Sequence, residues 1–211
     1  MPMFRFVTKL RRPPPAAEPA APSPSARPTT EAEDVALIAR IVQGDMRAFE
    51  TLYRAYHTRL SRFIALLSAR QPIVEESLND TMLVVWKRAG TYNHQSKVST
   101  WIFAIAYRTA YKAMRRQDLP EEGCDHDVLA SEGAGPERLL SEVETRAALG
   151  RALEGLSNEQ RSALVLTYFH DLPYAEIAQI MDCPVDTVKT RVFHGRRRLR
   201  ALLTGEIQDW L

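Results

Sequence analysis

The sequence predicts an all-α protein with two small helical domains joined by a flexible acidic linker. Apolar residues recur at the three- and four-residue spacing of amphipathic helices over residues 34–116 and again over residues 138–204. Neither stretch contains the alternating pattern or the turn pairs that are typical of strands and hairpins. Between them, residues 117–137 contain seven carboxylates, three glycines, two prolines, and no lysine or arginine. This composition indicates a linker rather than a packed element.

The two ends of the chain are predicted to lie outside the domains. Residues 11–30 are mostly Pro, Ala, Ser and Thr, so they cannot bury enough apolar surface to offset the entropy lost on ordering. We therefore expect residues 1–33 to form a disordered Pro/Ala-rich extension, and residues 205–211 to form a short tail. The composition favours a solvated extension with no specific task, and a regulatory role is the alternative.

The first domain is predicted to contain four helices. Gly44 and Asp45 end the first helix, and Asp45 is placed to cap the second. Pro72 begins the third helix, which ends near Gly90. A polar loop from Thr91 to Ser99 leads to the fourth helix, which combines aromatic side chains with cations.

The second domain ends in a predicted helix-turn-helix. Before it, Ser157 and Gln160 have the spacing of a capping box at the start of a helix. A short helical pattern from Tyr174 to Met181 stops at Asp182-Cys183-Pro184, and another begins at once. The second of these helices carries six cations against one acid, Asp186. A basic helix after a tight turn is the arrangement that enters the major groove of DNA.

The outward positions of this basic helix are the candidate DNA contacts. Lys189 and His194 can donate to base edges or phosphates, Thr190 can contact either, and Phe193 can touch a thymine methyl. The cations Arg191, Arg196 and Arg197 complete the predicted set. A basic solvated helix that binds no DNA is the alternative.

Composition excludes several other classes of protein. The net charge is only +2, so a nucleic-acid surface must be local. The two cysteines are far apart and lack a CxxC or Cys/His cluster, so we expect no disulfide, metal or cofactor. No paired carboxylates, nucleophile–base set or phosphate loop indicates an enzyme. No apolar run approaches the ~20 residues of a membrane span, and no secretory signal is evident, so we expect a cytoplasmic protein without membrane contact.

Two sets of motifs carry a resemblance to a known family. Residues 74–86 (V-E-E-S-L-N-D-T-M-L-V-V-W) and 96–108 (S-K-V-S-T-W-I-F-A-I-A-Y-R) resemble region 2 of the extracytoplasmic-function (ECF) sigma factors. Residues 152–203, with L-S-N-E-Q-R, Y-A-E-I-A and C-P-V-D-T-V-K-T-R-V-F-H-G-R, resemble region 4 of the same family. The resemblance implies an alternative sigma factor that binds core RNA polymerase. Its second domain would recognise −35 promoter DNA, and its first would help to open −10 DNA.

The resemblance also assigns the polymerase contacts. It implies that the third helix docks on the β′ clamp of core polymerase and that region 4 contacts the β flap. The residues at the clamp-docking positions are Glu75, Glu76, Asn79, Asp80 and Leu83. The family's usual Gln-Glu pair stands here as Asn79-Asp80, in which each side chain is shorter by a methylene. Without the resemblance, this acidic stretch reads equally well as a solvated helix face.

A loop and the helix after it correspond to the family's −10 surface. Polar side chains beside a tyrosine suit hydrogen bonding and stacking on a flipped base. The resemblance implies that −10 DNA contacts Tyr92, Asn93, His94, Gln95, Ser96, Lys97, Trp101, Arg108, Lys112, Arg115 and Arg116. Trp101 fits the core equally well. The family often has an asparagine and an acid where Arg108 and Lys112 stand here.

Two further expectations follow from the resemblance. The acidic linker would thread toward the polymerase active centre, with its negative charge imitating nucleic acid. An anti-sigma protein would hold the two domains and block their use. Two other classes remain open at this point: a stand-alone helix-turn-helix regulator with an unrelated first domain, and a helical adaptor with no DNA role.

Overall fold

The computed structural model describes residues 29–117 and 148–208, and side chains within 29–116 and 148–204. All regular secondary structure in these ranges is helical, which confirms the predicted fold class of two helical domains. Most of the extension at 1–33, the end of the tail at 205–211, and all of the expected linker at 117–137 except Gln117 lie outside the described residues.

The first domain contains four helices and one short 3-10 turn. They are α1 (Glu31–Val42), α2 (Met46–Leu67), α3 (Gln71–Arg88), the turn Ala89–Thr91, and α4 (Val98–Gln117). Asp45 caps α2 as predicted, because its Oδ1 accepts from the backbone N–H groups of Arg47 and Ala48 at 2.9 and 3.1 Å. Gly44 precedes it with φ of +82°, a conformation that suits glycine.

The first helix begins earlier than the expected domain boundary at residue 34. Thr30 is its N-cap, and the Thr30 Oγ1 accepts from the Glu33 N–H at 3.3 Å. The Glu33 carboxylate accepts from the Thr30 N–H at 2.7 Å, so both halves of a capping box form. This box lies inside the segment that was assigned to the extension, and it starts the helix at Glu31.

The second domain contains residues 148–154 (α5), α6 (Asn158–Tyr168), α7 (Tyr174–Met181) and α8 (Val185–Gln208). Ser157 caps α6 as predicted, with its hydroxyl accepting from the Gln160 N–H at 3.3 Å. Asp182 ends α7 in the left-handed conformation, with φ of +51°. The next residue donates its N–H to the Ala178 carbonyl at 3.0 Å, which closes the tight turn before α8.

The two domains pack against each other, with α7 on α4 and α6 on α2, and their buried side chains form one apolar core. Arg161 of α6 joins them. Its guanidinium donates to the Leu153 carbonyl at 2.8 Å, to the Glu154 carbonyl at 3.0 Å, and to the carbonyl of Leu67, the last residue of α2. One cation therefore satisfies helix-end carbonyls in both domains.

His170 forms the apolar part of the same junction. Its ring lies edge-on to the rings of Phe63 and Phe103, with centroids 5.8 and 4.9 Å away. The buried Nε2 has no hydrogen-bond partner among the described residues. Burial, assisted by the charges of Arg59 and Arg62, lowers the pKa of His170 to about 4. The imidazole is therefore neutral at pH 7 and packs as an aromatic ring.

Candidate polymerase and nucleic-acid interface

The outward face of α8 presents six of the seven predicted −35 contacts to solvent: Lys189, Thr190, Phe193, His194, Arg196 and Arg197. Phe193 is 63% exposed, a large fraction for an aromatic ring, and it meets the ring of His194 edge-on at 5.3 Å. The Lys189 ammonium lies 2.9 Å from the Asp186 carboxylate, one turn earlier. Cations and an aromatic ring therefore share one surface, which can reach both phosphates and base edges.

Arg191 is the exception among the predicted −35 contacts. It shares a helix face with the buried Val188 and Gly195, so it is half-buried rather than exposed. Its guanidinium donates to the Cys183 sulfur at 3.3 Å. Arg191 also acts on Tyr107 of α4: burial and then the Glu159 carboxylate raise the pKa of Tyr107, and the positive charge of Arg191 lowers it. Arg191 therefore faces the junction with the first domain.

The five predicted polymerase contacts lie together on the solvent side of α3: Glu75, Glu76, Asn79, Asp80 and Leu83. Leu83 is 47% exposed, so this polar face carries an apolar side chain. The Gln71 amide donates to the Glu75 carboxylate at 2.8 Å, and Arg116 of α4 lies 3.7 Å from Glu76. The opposite side of α3 packs into the core. The arrangement is an acidic face that suits a basic helical partner.

The base of the predicted −10 loop is buried. Tyr92 is only 9% exposed, and its hydroxyl donates to the Ser96 carbonyl at 2.7 Å. Its ring lies 5.6 Å from that of Trp101, which is half-buried against the core, and 4.7 Å from that of His94. Burial and then the Glu31 carboxylate raise the pKa of Tyr92. Tyr92 and Trp101 therefore hold the loop in place.

The tip of the same loop is exposed and polar. His94 has φ of +60°, and the Asn93 side chain accepts from the Gln95 N–H at 3.2 Å. These three side chains and that of Lys97 are exposed, whereas Ser96 is half-buried. The loop borders an open cavity of 480 Å³, which is also lined by α1 and by Glu176 and Gln179 of α7. A side of this cavity is therefore formed by the helix-turn-helix.

The basic residues of α4 form one stripe. Arg108, Lys112, Arg115 and Arg116 are all exposed, at the spacing of a single helix face. Together with Tyr107 and Tyr111 they line a shallow groove. The Tyr111 hydroxyl donates to the Glu159 carboxylate of α6 at 3.0 Å, and this hydrogen bond is the main cause that raises the pKa of Tyr111.

Sequence reasoning did not identify the residues that join the domains: Glu159, Arg161, His170 and Glu176. Glu159 bonds to a residue 48 positions away, and Arg161 to one 94 positions away. Glu176 contacts residues that are 76 and 79 positions away. Helical periodicity carries no information over such separations. The sequence shows that polar and aromatic side chains alternate along α4, but this pattern does not identify the helix that packs against it.

Among residues 29–116 and 148–204 there is no group of three or more His, Cys, Asp and Glu side chains that could hold a metal ion. Cys183 is a free thiol. Within the described part of the chain, no helix is both long enough and apolar enough to cross a membrane.

A helical domain with an acidic face and a polar loop, packed on a domain with an exposed basic recognition helix, defines a two-domain DNA-binding protein. Models of two protein families match these domains. Residues 52–119 match "Sigma-70 region 2", and residues 146–199 match "Sigma-70, region 4".

Relatives of known type cover most of the chain. The ECF RNA polymerase sigma factor SigM of Mycobacterium tuberculosis is 31% identical over 173 residues, which is 82% of this chain and 86% of the relative. The ECF RNA polymerase sigma-E factor of Escherichia coli is 29% identical over 178 residues, 79% of this chain and 92% of the relative.

Two solved structures share the fold. CnrH, solved in complex with the cytosolic domain of CnrY, has a TM-score of 0.64 at 20% identity, over 82% of this chain and 98% of that one. The sigma factor RpoE of Bartonella quintana, solved with the anti-sigma factor NepR, has a TM-score of 0.55 at 25% identity, over 70% of this chain and 91% of that one.

The chain therefore belongs to the ECF sigma factors, as its motifs predicted. It is an alternative sigma factor that binds core RNA polymerase and directs promoter-specific initiation of transcription. Sigma factors are initiation factors rather than catalysts.

Proposed function

We propose that the exposed face of α8 recognises −35 DNA. The observation that supports this most strongly is Phe193, which stays 63% exposed among cations on the helix that follows the tight turn. An apolar ring in such a position gains by contact with a thymine methyl. Lys189 and His194 supply donors for base edges, and Arg196 and Arg197 supply charge for phosphates. Arg191 is half-buried at the domain junction and joins this set only when the domains separate.

The solvent face of α3 is the proposed docking surface for the β′ clamp of core polymerase. Leu83 is exposed among the carboxylates of Glu75, Glu76 and Asp80 and the amide of Asn79. An apolar centre with a charged rim is the usual composition of a protein interface. The negative rim favours a basic partner and rejects an acidic one.

The loop tip and the α4 stripe are the proposed −10 surface. Asn93, His94 and Gln95 place amide and imidazole groups around the cavity, where they can hold a flipped base. The cations of α4 lie where they can hold phosphates of the opened strand. Base capture drives the opening with binding energy, so the chain needs no enzymatic activity of its own.

A run-off transcription assay with purified core polymerase tests this function. We expect the chain to start transcription only with core and to bind promoter duplex weakly alone, because each domain supplies few contacts. Lys189→Ala and Phe193→Ala should both reduce the run-off product, and Arg197→Ala, which removes a proposed phosphate contact, should lower the salt dependence of promoter binding by about one ion. The matched control is Arg47→Ala, which removes an exposed cation of α2.

Binding measurements with the same components separate the rival functions. Tight, sequence-specific footprinting by the chain without core would favour a stand-alone helix-turn-helix regulator. A chain that bound neither core polymerase nor promoter DNA would favour a helical adaptor. Because core polymerase and promoters are its working partners, we place the protein in the cytoplasm.

We also propose that an anti-sigma protein controls this chain. CnrH was solved with the cytosolic domain of CnrY, and RpoE was solved with the anti-sigma factor NepR. The domain junction described above offers a surface that such a partner can hold. Co-expression with the product of the neighbouring reading frame should give a stable complex that no longer starts transcription, whereas full activity of the mixture would contradict the proposal.

A further inference from the structure

The helix-turn-helix reaches across the junction into the proposed −10 loop. The Glu176 carboxylate, on the first helix of that motif, lies 2.6 Å from the Lys97 ammonium. Its other oxygen accepts from the Thr100 hydroxyl at 2.9 Å. The Glu176 side chain is only 15% exposed, so most of it is shielded from solvent. The contact forms one side of the cavity that the loop borders.

The chemistry of this contact imitates the proposed ligand. Lys97 belongs to the predicted −10 set, and an ammonium beside a hydroxyl is a donor pair that suits an anionic or polar group of nucleic acid. Here the pair is occupied by a carboxylate of the same chain. The hydrogen bond from Lys97 to Glu176, and then the charge of Glu176, raise the pKa of Lys97. Both effects favour the ion pair.

The rest of the junction shows that the contact is part of a packed closed state. An isolated surface ion pair contributes little, and one such pair would not hold two domains together. Here Arg161 caps the last turn of α2, the Tyr111 hydroxyl donates to Glu159 at 3.0 Å, and His170 is edge-on to two phenylalanine rings. Loss of Glu176 alone should therefore loosen the closed state near the cavity without unfolding either domain.

We propose that Glu176 is an intramolecular inhibitor of −10 DNA binding. In the free chain its carboxylate occupies Lys97 of the loop and Thr100 of α4, on the side of the cavity that α7 forms. Those donors become available only when a partner draws the domains apart. The inference rests on the proposed −10 role of the loop. The apparent affinity for the −10 strand is then the intrinsic affinity multiplied by the fraction of open chain.

The first test measures closure without DNA. A water-soluble carbodiimide joins a touching carboxylate and amine as an amide, so the free full-length chain should yield a Lys97–Glu176 cross-link by mass spectrometry. Addition of core polymerase should reduce it. The internal control is the Lys189–Asp186 pair, which is 2.9 Å apart within one helix and should cross-link in both states. Absence of the interdomain cross-link in the free chain, with the control link present, overturns the inference.

The second test measures inhibition. Fluorescence anisotropy with a single-stranded −10 oligonucleotide should show binding by full-length E176Q that is roughly three- to tenfold tighter than by the wild type, as expected for loss of one charged hydrogen-bonded contact. The control is E50Q, which removes the same charge from an exposed ion pair of α2, where Glu50 lies 2.5 Å from Arg54. With core present, E176Q and the wild type should open the promoter equally.

Equal oligonucleotide binding by E176Q and E50Q overturns the inference. His94→Ala in the polymerase complex then shows which idea has failed. If this variant impairs promoter opening, the proposed −10 role of the loop survives and only the inhibition is lost. If it opens the promoter normally, both the loop assignment and the inference are wrong.

Discussion

The substitution Arg161→Met tests whether one guanidinium holds helix ends in both domains. Methionine fills a similar length of the site but donates no hydrogen bond, so the carbonyls of Leu153, Glu154 and Leu67 lose their charged donor. Arg161 is only 8% exposed, so water cannot replace the donor freely. The result should be a loss of stability that involves both domains.

The magnitude follows from two opposing effects. Removal of a charged hydrogen bond from a buried carbonyl costs about 1.5–3 kcal/mol, and four carbonyls are affected, because the Leu156 carbonyl also accepts from the guanidinium at 3.5 Å. The substitution also removes the cost of burying a cation, a cost that lowers the pKa of Arg161. The carbonyls keep their second lone pairs for other donors. We therefore expect the free energy of unfolding to fall by about 2–4 kcal/mol, a large share of the 5–15 kcal/mol typical of a folded protein.

Urea unfolding followed by circular dichroism measures this change. Arg47→Met, at an exposed position of α2, is the matched control and should shift the free energy of unfolding by less than about 0.5 kcal/mol. Arg161→Lys keeps the charge but loses the planar fork, so it should recover only a small part of the loss. If Arg161→Met is as stable as Arg47→Met, the argument that these hydrogen bonds join the domains is wrong.

Three further predictions concern other sites. His170 has a folded-state pKa of about 4, below the 6.5 of an exposed histidine, so its contribution to stability is complete above about pH 6.5 and is lost as the pH falls toward 4. At pH 5 the free energy of unfolding should be lower by about 2 kcal/mol. The urea midpoint of His170→Phe should lack this pH dependence. The Tyr56 hydroxyl donates to the buried Asp34 carboxylate at 2.5 Å, so Tyr56→Phe should lower the melting temperature, at a cost of about 1–3 kcal/mol. Asp80→Lys should weaken competition for core polymerase at least about tenfold, whereas Gln43→Lys, on the exposed end of the first helix, should not; equal competition would contradict the α3 docking surface.

Local signals in the sequence predicted much of the fold. Asp45, Pro72 and Ser157 each act within one helical turn, and the structure places all three at helix starts. The helix-turn-helix was also predictable, because its turn at Asp182 interrupts two apolar patterns. The capping box of Thr30 was equally local, but the composition of the preceding segment hid it.

The parts that could not be predicted depend on contacts between distant residues. Position 191 carries the same charge as position 197, and only the packing of α8 on the rest of the protein makes Arg191 face the junction. Tyr92 has a polar tip that suits base stacking, yet the fold uses its ring and hydroxyl to hold the loop. Periodicity gives the face of a helix, but it does not say what that face meets.

Closure affects the two proposed DNA surfaces unequally. The junction covers one side of the cavity beside the −10 loop and holds Arg191, whereas Lys189 and Phe193 on the outward face of α8 stay exposed. On the proposed assignment, the free chain therefore meets duplex DNA with α8 alone. One helix makes few base and phosphate contacts, and affinity for DNA rises steeply with the number of phosphates neutralised. On the same proposal, core polymerase adds the second surface by holding the domains apart, so selective initiation requires the whole complex.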